Sequence, residues 1–132
     1  MEPIDWLAVI LAANLAVGVG IVWNGPLFRT GRPLLGRIVG EKTSHNWWLV
    51  LGVFLIGAAM LGHNYARIGA GVLEAKPWLY LMQAGGLAIA FVVPALFLTH
   101  ARLGSPRREA LIDCGFWLAA YLAMGATLWA LG

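Results

Sequence analysis

Charge is what this sequence has least of. Asp, Glu, Lys and Arg make up 11% of its 132 residues, against roughly a quarter in an ordinary soluble domain. So few charges cannot cover a water-facing surface. The 61% of hydrophobic residues points instead to a membrane protein of one domain, residues 1–132. Cysteine is nearly absent as well. Cys114 stands alone, so neither an intrachain disulfide nor a cysteine metal cluster can form. No H-E-x-x-H or H-x-x-E-H spacing offers a zinc site, and no G-x-x-x-x-G-K-[ST] offers a phosphate loop. No Ser, His and Asp stand at a triad's spacing. Ser44 beside His45 reads as a helix cap. The start, "MEPIDW", lacks a basic leader, and no small-residue cleavage site follows it. The first apolar run is therefore expected to be retained.

Long apolar runs are what the chain has in abundance. About 20 apolar residues cross a bilayer core, and four stretches qualify: 4–23, 47–65, 78–99 and 109–131. Pro3 precedes the first, and Thr43, Ser44 or Asn46 can cap the second. Pro77 suits the first turn of the third, and Ser105-Pro106 the start of the fourth. Gly69 and Gly104 lie where the second and third helices should stop. The runs are too continuous for the alternating strands of a membrane barrel. The expected fold is all-α: an integral membrane four-helix bundle.

The loops separate by charge. Arg29, Arg32, Arg37 and Lys42 lie between the first two spans, and Arg102, Arg107 and Arg108 between the last two. The middle loop holds only Arg67 and Lys76. Basic loops stay in the cytoplasm, which puts both termini outside. Trp6, Tyr65, Trp78, Tyr80 and Trp129 then form an outer aromatic belt, and Trp23, Trp47 and Trp48 an inner one. The stretch "WNGPLFRTGRPLLGR" follows the first span. Gly25-Pro26 ends the helix. Apolar pairs then alternate with arginines, as in a short interfacial segment lying over lipid phosphates. Arg29, Arg32, Arg37, His100, Arg107 and Arg108 are the candidate lipid- or ligand-binding residues. The expected partners are membrane lipids, through anionic headgroups at the cytoplasmic face, and further copies of the chain. No nucleic acid is expected, because the charge of +3 is dispersed between apolar runs.

Five polar residues fall inside spans: Asn14, His63, Asn64, Gln83 and Asp113. Such residues usually face neighbouring helices, where amides hydrogen-bond across and small residues allow close approach. His63 and Arg67 share a helix face at the outer mouth, which suits an anion or a solvated helix end. A bis-histidine haem needs two histidines at one depth. His63 has no such partner, and His45 and His100 abut basic loops. No metal or other cofactor is expected. Pro94 interrupts the third span, where it can free a carbonyl. The linker "RIGAGVLEAKPW" reads as a small, Gly-rich connection. Asp113 is the only acidic residue within an apolar run. Its helix places Trp117 and Ala120 on the same face. It is expected to face the bundle and take a partner at the inner end, with His100 or an arginine as the donor.

The stretch "NLAVGVGIVWNGPLF", with Asn14, Gly18, Trp23 and Gly25-Pro26, resembles one end of a known family. "AFVVPALF" around Pro94 and "LIDCGFWLAAYLAMGA", with Asp113, Gly115 and Gly125, resemble the other. The family is DUF1761, small four-helix bacterial membrane proteins. The chain departs from its pattern at Asn24 and Phe116, where tyrosine is usual. The resemblance implies a multi-pass protein of the bacterial inner membrane and brings no activity with it. The functional expectation is a non-enzymatic protein binding lipid or a small ligand, as an oligomer or accessory subunit. A small oligomeric transporter lined by Asn14, His63, Gln83 and Asp113 is one alternative. An enzyme acting on a lipophilic substrate is another.

Overall fold

Asp5 starts the first helix by accepting the Ala8 backbone N–H on its carboxylate, at 3.2 Å, which satisfies one of the free donors of the first turn. The computed structural model describes residues 4–23, 27–28 and 47–131. Helix α1 spans Trp6–Val22, α2 Trp47–Ile68, α3 Ala70–Ala75, α4 Trp78–Leu87, α5 Val93–Leu103 and α6 Arg107–Leu131. A π-helical turn, Ala88–Val92, joins α4 and α5 into one rod. The described residues contain no strand.

Glycine sets two of the helix ends. Gly69 (φ 92°) follows α2 and Gly104 (φ 70°) follows α5, both in the region of backbone space that side chains resist. The helices run a few residues past the spans read from sequence. α2 reaches Ile68 and α5 reaches Leu103, because a polar helix end still satisfies its backbone where the apolar pattern stops. α6 opens at Arg107, with the Pro106 carbonyl accepting the Ala110 N–H. The π turn lies directly before Pro94. There the Val93 N–H reaches back to the Ala88 carbonyl, next to a residue that has no N–H to give. The stretch after Gly69 shows in the sequence only as a small, Gly-rich connection. It folds as the short helix α3, held by the buried Leu73.

Contacts fix how the helices run. Gly62 of α2 lies against Ile4 and Val9, at the start of α1. Tyr65 of α2 donates its hydroxyl to the Tyr80 carbonyl of α4 at 2.5 Å. Trp23, at the end of α1, bonds Ile112 near the start of α6. Successive rods therefore alternate in direction. One end gathers Trp23, His100 and Arg107, and is called the basic end below. The other gathers Asp5, Tyr65, Tyr80 and Trp129.

The core is built on small residues. Ala8, Ala12, Ala13, Ala16 and Gly20 form the buried side of α1, and α1 packs there against α2 and α6. Such a stripe lets backbones approach closely, which is how helices gain contact where the surroundings are as apolar as the interior. The larger residues interlock beyond it. Phe54 meets Phe116 edge-on at 5.9 Å and Trp117 at 4.8 Å. No polar or charged residue is fully buried among the described residues. The outside is as apolar as the inside: Trp48 is 83% exposed, Ile56 73% and Phe91 69%. Three stretches, Trp48–Ile68, Trp78–Leu103 and Arg107–Leu131, are long and apolar enough to cross a membrane. At 17 residues α1 is shorter, about 26 Å long.

Candidate functional site

The chemistry of the described residues gathers at the basic end, where α1, α5 and α6 meet. His100, on the last turns of α5, reaches Asp113 on α6, with Nε2 and Oδ2 2.8 Å apart. A carboxylate only accepts, so the imidazole Nε2–H donates to it. Both side chains are largely withdrawn from the surface, at 13% and 26% exposure. His100 Nδ1 is buried without a hydrogen-bond partner. One residue along, Cys114 Sγ lies 3.8 Å from the Val93 carbonyl. The α5–α6 seam is thus pinned on two adjacent residues of α6.

Trp23 secures the third helix of this corner. Its indole N–H donates to the Ile112 carbonyl at 2.9 Å. Its ring lies over Gly115, where an added Cβ would meet Trp23 Cζ2 at 3.0 Å. Phe28 packs on the same indole, ring centroids 5.0 Å apart, and its N–H bonds the Trp23 carbonyl at 3.1 Å. Trp23, expected from sequence to be an interfacial anchor, locks one helix onto another. Gly115 leaves a slot on α6 and the indole fills it.

Beside this corner opens a cavity of about 510 Å³, lined by Trp23, Phe28, Arg107, Arg108, Leu111 and Ile112. Four of these are apolar and form its wall. The two arginines are exposed and stand on the first turn of α6, where unpaired backbone N–H groups favour an anion. Glu109 is the acidic residue of that turn. The site is amphipathic, a greasy surface ending in two cations.

The structure sorts the other sequence candidates. His100 does not line the cavity and is engaged with Asp113 instead. Arg29, Arg32 and Arg37 lie outside the described residues, as do His45, Asn24 and the part of the expected interfacial segment after Phe28. Asn14 is exposed on α1 and donates to its own helix, to the Ile10 carbonyl at 2.8 Å. It bridges to no other helix among the described residues. His63, Asn64 and Gln83 are half-buried. Arg67 is exposed one turn beyond His63. Among the described residues, no three His, Cys, Asp or Glu side chains gather closely enough for a metal ion.

Some working residues were missed from sequence. Tyr65 was placed in an outer aromatic belt, but it is buried and its hydroxyl holds α4. Gly125 is a crossing point: an added Cβ would lie 2.8 Å from Ala84 Cβ and 3.0 Å from the Tyr80 carbonyl. A second cavity, about 340 Å³, is lined by Ala70, Leu73, Glu74, Pro77, Tyr80 and Trp129, where α3 meets α4 and α6. The signal for the packed side of α1 was present in Ala8, Ala12, Ala16 and Gly20, small residues four apart.

Neither a curated protein nor a solved structure matches the chain. A family model described as a protein of unknown function, DUF1761, matches residues 7–129. That match takes in the Trp23–Ile112 and His100–Asp113 contacts, and nearly all of every described helix. The chain belongs to the DUF1761 family.

Proposed function

We propose that this chain is a four-span protein of the bacterial inner membrane, with its basic end in the cytoplasm and both termini outside, and that it holds an anionic amphiphile at that end. The reading of α1 as the fourth span rests on its apolar composition and its packing between α2 and α6. The orientation rests on the excess of arginine at the basic end. One observation carries the binding reading: the cavity whose apolar wall ends in Arg107 and Arg108. A lipid acyl chain fits against Trp23, Phe28 and Leu111. Its phosphate meets the two guanidinium groups, which pair with phosphate in a planar fork. Each cation near an anionic surface adds about 1 kcal/mol. In this reading the His100–Asp113 pair is the frame that fixes α5 against α6, and the protein binds rather than transforms its ligand.

The test is lipid retention. Protein purified in mild detergent should carry phosphatidylglycerol in preference to a zwitterionic lipid, read by native mass spectrometry. Arg107→Gln with Arg108→Gln should reduce that preference severalfold. Equal retention of both lipids by the parent protein, or an unchanged preference in the double variant, would overturn the reading.

A further inference from the structure

Asn14 lies midway along α1 and faces outward, among Leu7, Leu11 and Ile21, which are exposed on the same side. Its amide has two N–H groups and a carbonyl. One N–H is taken by the Ile10 carbonyl. The other N–H and Oδ1 have no hydrogen-bond partner among the described residues. Thr99 and Thr127 each turn their single donor to their own helix in the same way, to Ala95 and Ala123 at 2.8 Å, but a hydroxyl has only one hydrogen to place. An amide at mid-helix keeps a donor and an acceptor facing a solvent of lipid tails, which offers neither.

We infer that a second copy of this chain docks on the outer face of α1, with the two Asn14 side chains hydrogen-bonded to each other. This rests on reading α1 as a membrane span. Several features select a second copy over another occupant. The amide is self-complementary, with the N–H of one copy meeting the carbonyl of the other. Two copies inserted in the same orientation bring that amide to the same depth, as a two-fold axis along the membrane normal requires. Gly18, one turn on from Asn14, has nothing within 4 Å of the place where its Cβ would be, so a second backbone can come close. The opposite side of α1 is already closed by its alanines against α2 and α6.

Single-cysteine variants in a Cys114→Ala background, kept in native membranes, test this. Leu7→Cys should give a disulfide-linked dimer on mild oxidation. Ile56→Cys, equally exposed but on α2, should give less than a tenth as much. Adding Asn14→Leu should lower the Leu7→Cys dimer at least fivefold, and Asn14→Gln should keep it. Because Asn14 is exposed, the leucine leaves the core intact, and an unchanged unfolding midpoint checks that. No dimer from Leu7→Cys, as much from Ile56→Cys, or no effect of Asn14→Leu would overturn the inference. Asn14→Cys separates the two readings. Its reaction with a membrane-impermeant maleimide would overturn the span and the dimer together. Protection without a dimer would overturn the dimer alone.

Discussion

His100 and Asp113 stand thirteen positions apart in sequence and face each other across the α5–α6 seam at 2.8 Å. The hairpin turn between them, with Gly104 in the left-handed region, brings the end of one rod beside the start of the next. A hydrogen bond to a carboxylate contributes about 1.5–3 kcal/mol. Asp113→Ala should therefore lower stability in detergent by more than the roughly 0.3–1 kcal/mol of a helix-dipole contact alone. His100→Ala should cost a similar amount, and the double variant less than the two losses added together. Titration with a denaturing detergent, read by tryptophan fluorescence, measures all three. Additive losses would mean the two side chains stabilise the fold independently.

Gly125 sits where α6 crosses α4. An alanine there has to displace Ala84 or the Tyr80 backbone, and overpacking of this kind costs about 1–3 kcal/mol. Gly86→Ala, one residue from the packed Gly85, meets nothing within 4 Å and should not lower the unfolding midpoint, since alanine favours a helix interior over glycine. The same detergent titration compares the two.

Sidedness follows from the arginines. Cysteines introduced as Glu2→Cys and Arg37→Cys, each in a Cys114→Ala background, should react with an impermeant maleimide from opposite faces of the membrane: the first in intact cells stripped of their outer barrier, the second only in inverted vesicles. Reaction of both from one face would remove the proposed topology.

Depth was legible in this sequence, and rotation about the helix axis was not. Asp113 and His100 were assigned to one depth from the ends of their apolar runs, and the structure has them in contact. Asn14 lies midway along α1, as expected, but it faces no other helix of its own chain among the described residues. Tyr65 was assigned to a belt and proves to be buried. The physical reason is shared. A soluble helix shows its inner face by contrast with a polar outer one. Here Leu7 and Ile56 are as apolar outside as Val9 and Leu61 are inside, so hydrophobicity carries no directional signal. Size carries it instead, through the alanines of α1. Trp23 was read from its position at a helix end. Its slot at Gly115 depends on a residue far along the chain, which no local pattern reveals.

The wide turn at Ala88–Val92 acts as a phase adjuster between two seams. On one side of it, Ala84 and Gly85 set α4 against Gly125 and Leu122 of α6. On the other, Val93 and His100 set α5 against Cys114 and Asp113 of the same helix. Each residue of an α-helix turns the face by about 100°, and a π turn takes in one residue more than an α turn. Deleting Ala90 should therefore remove the extra residue and leave both seams facing as they do, at little cost beyond the local repacking. Deleting Ala95, beyond the wide turn, should instead swing His100 about 100° away from Asp113 while Gly125 keeps its fit. That second deletion should cost at least as much stability as Asp113→Ala, and combining it with Asp113→Ala should add little, because the deletion has already parted the pair.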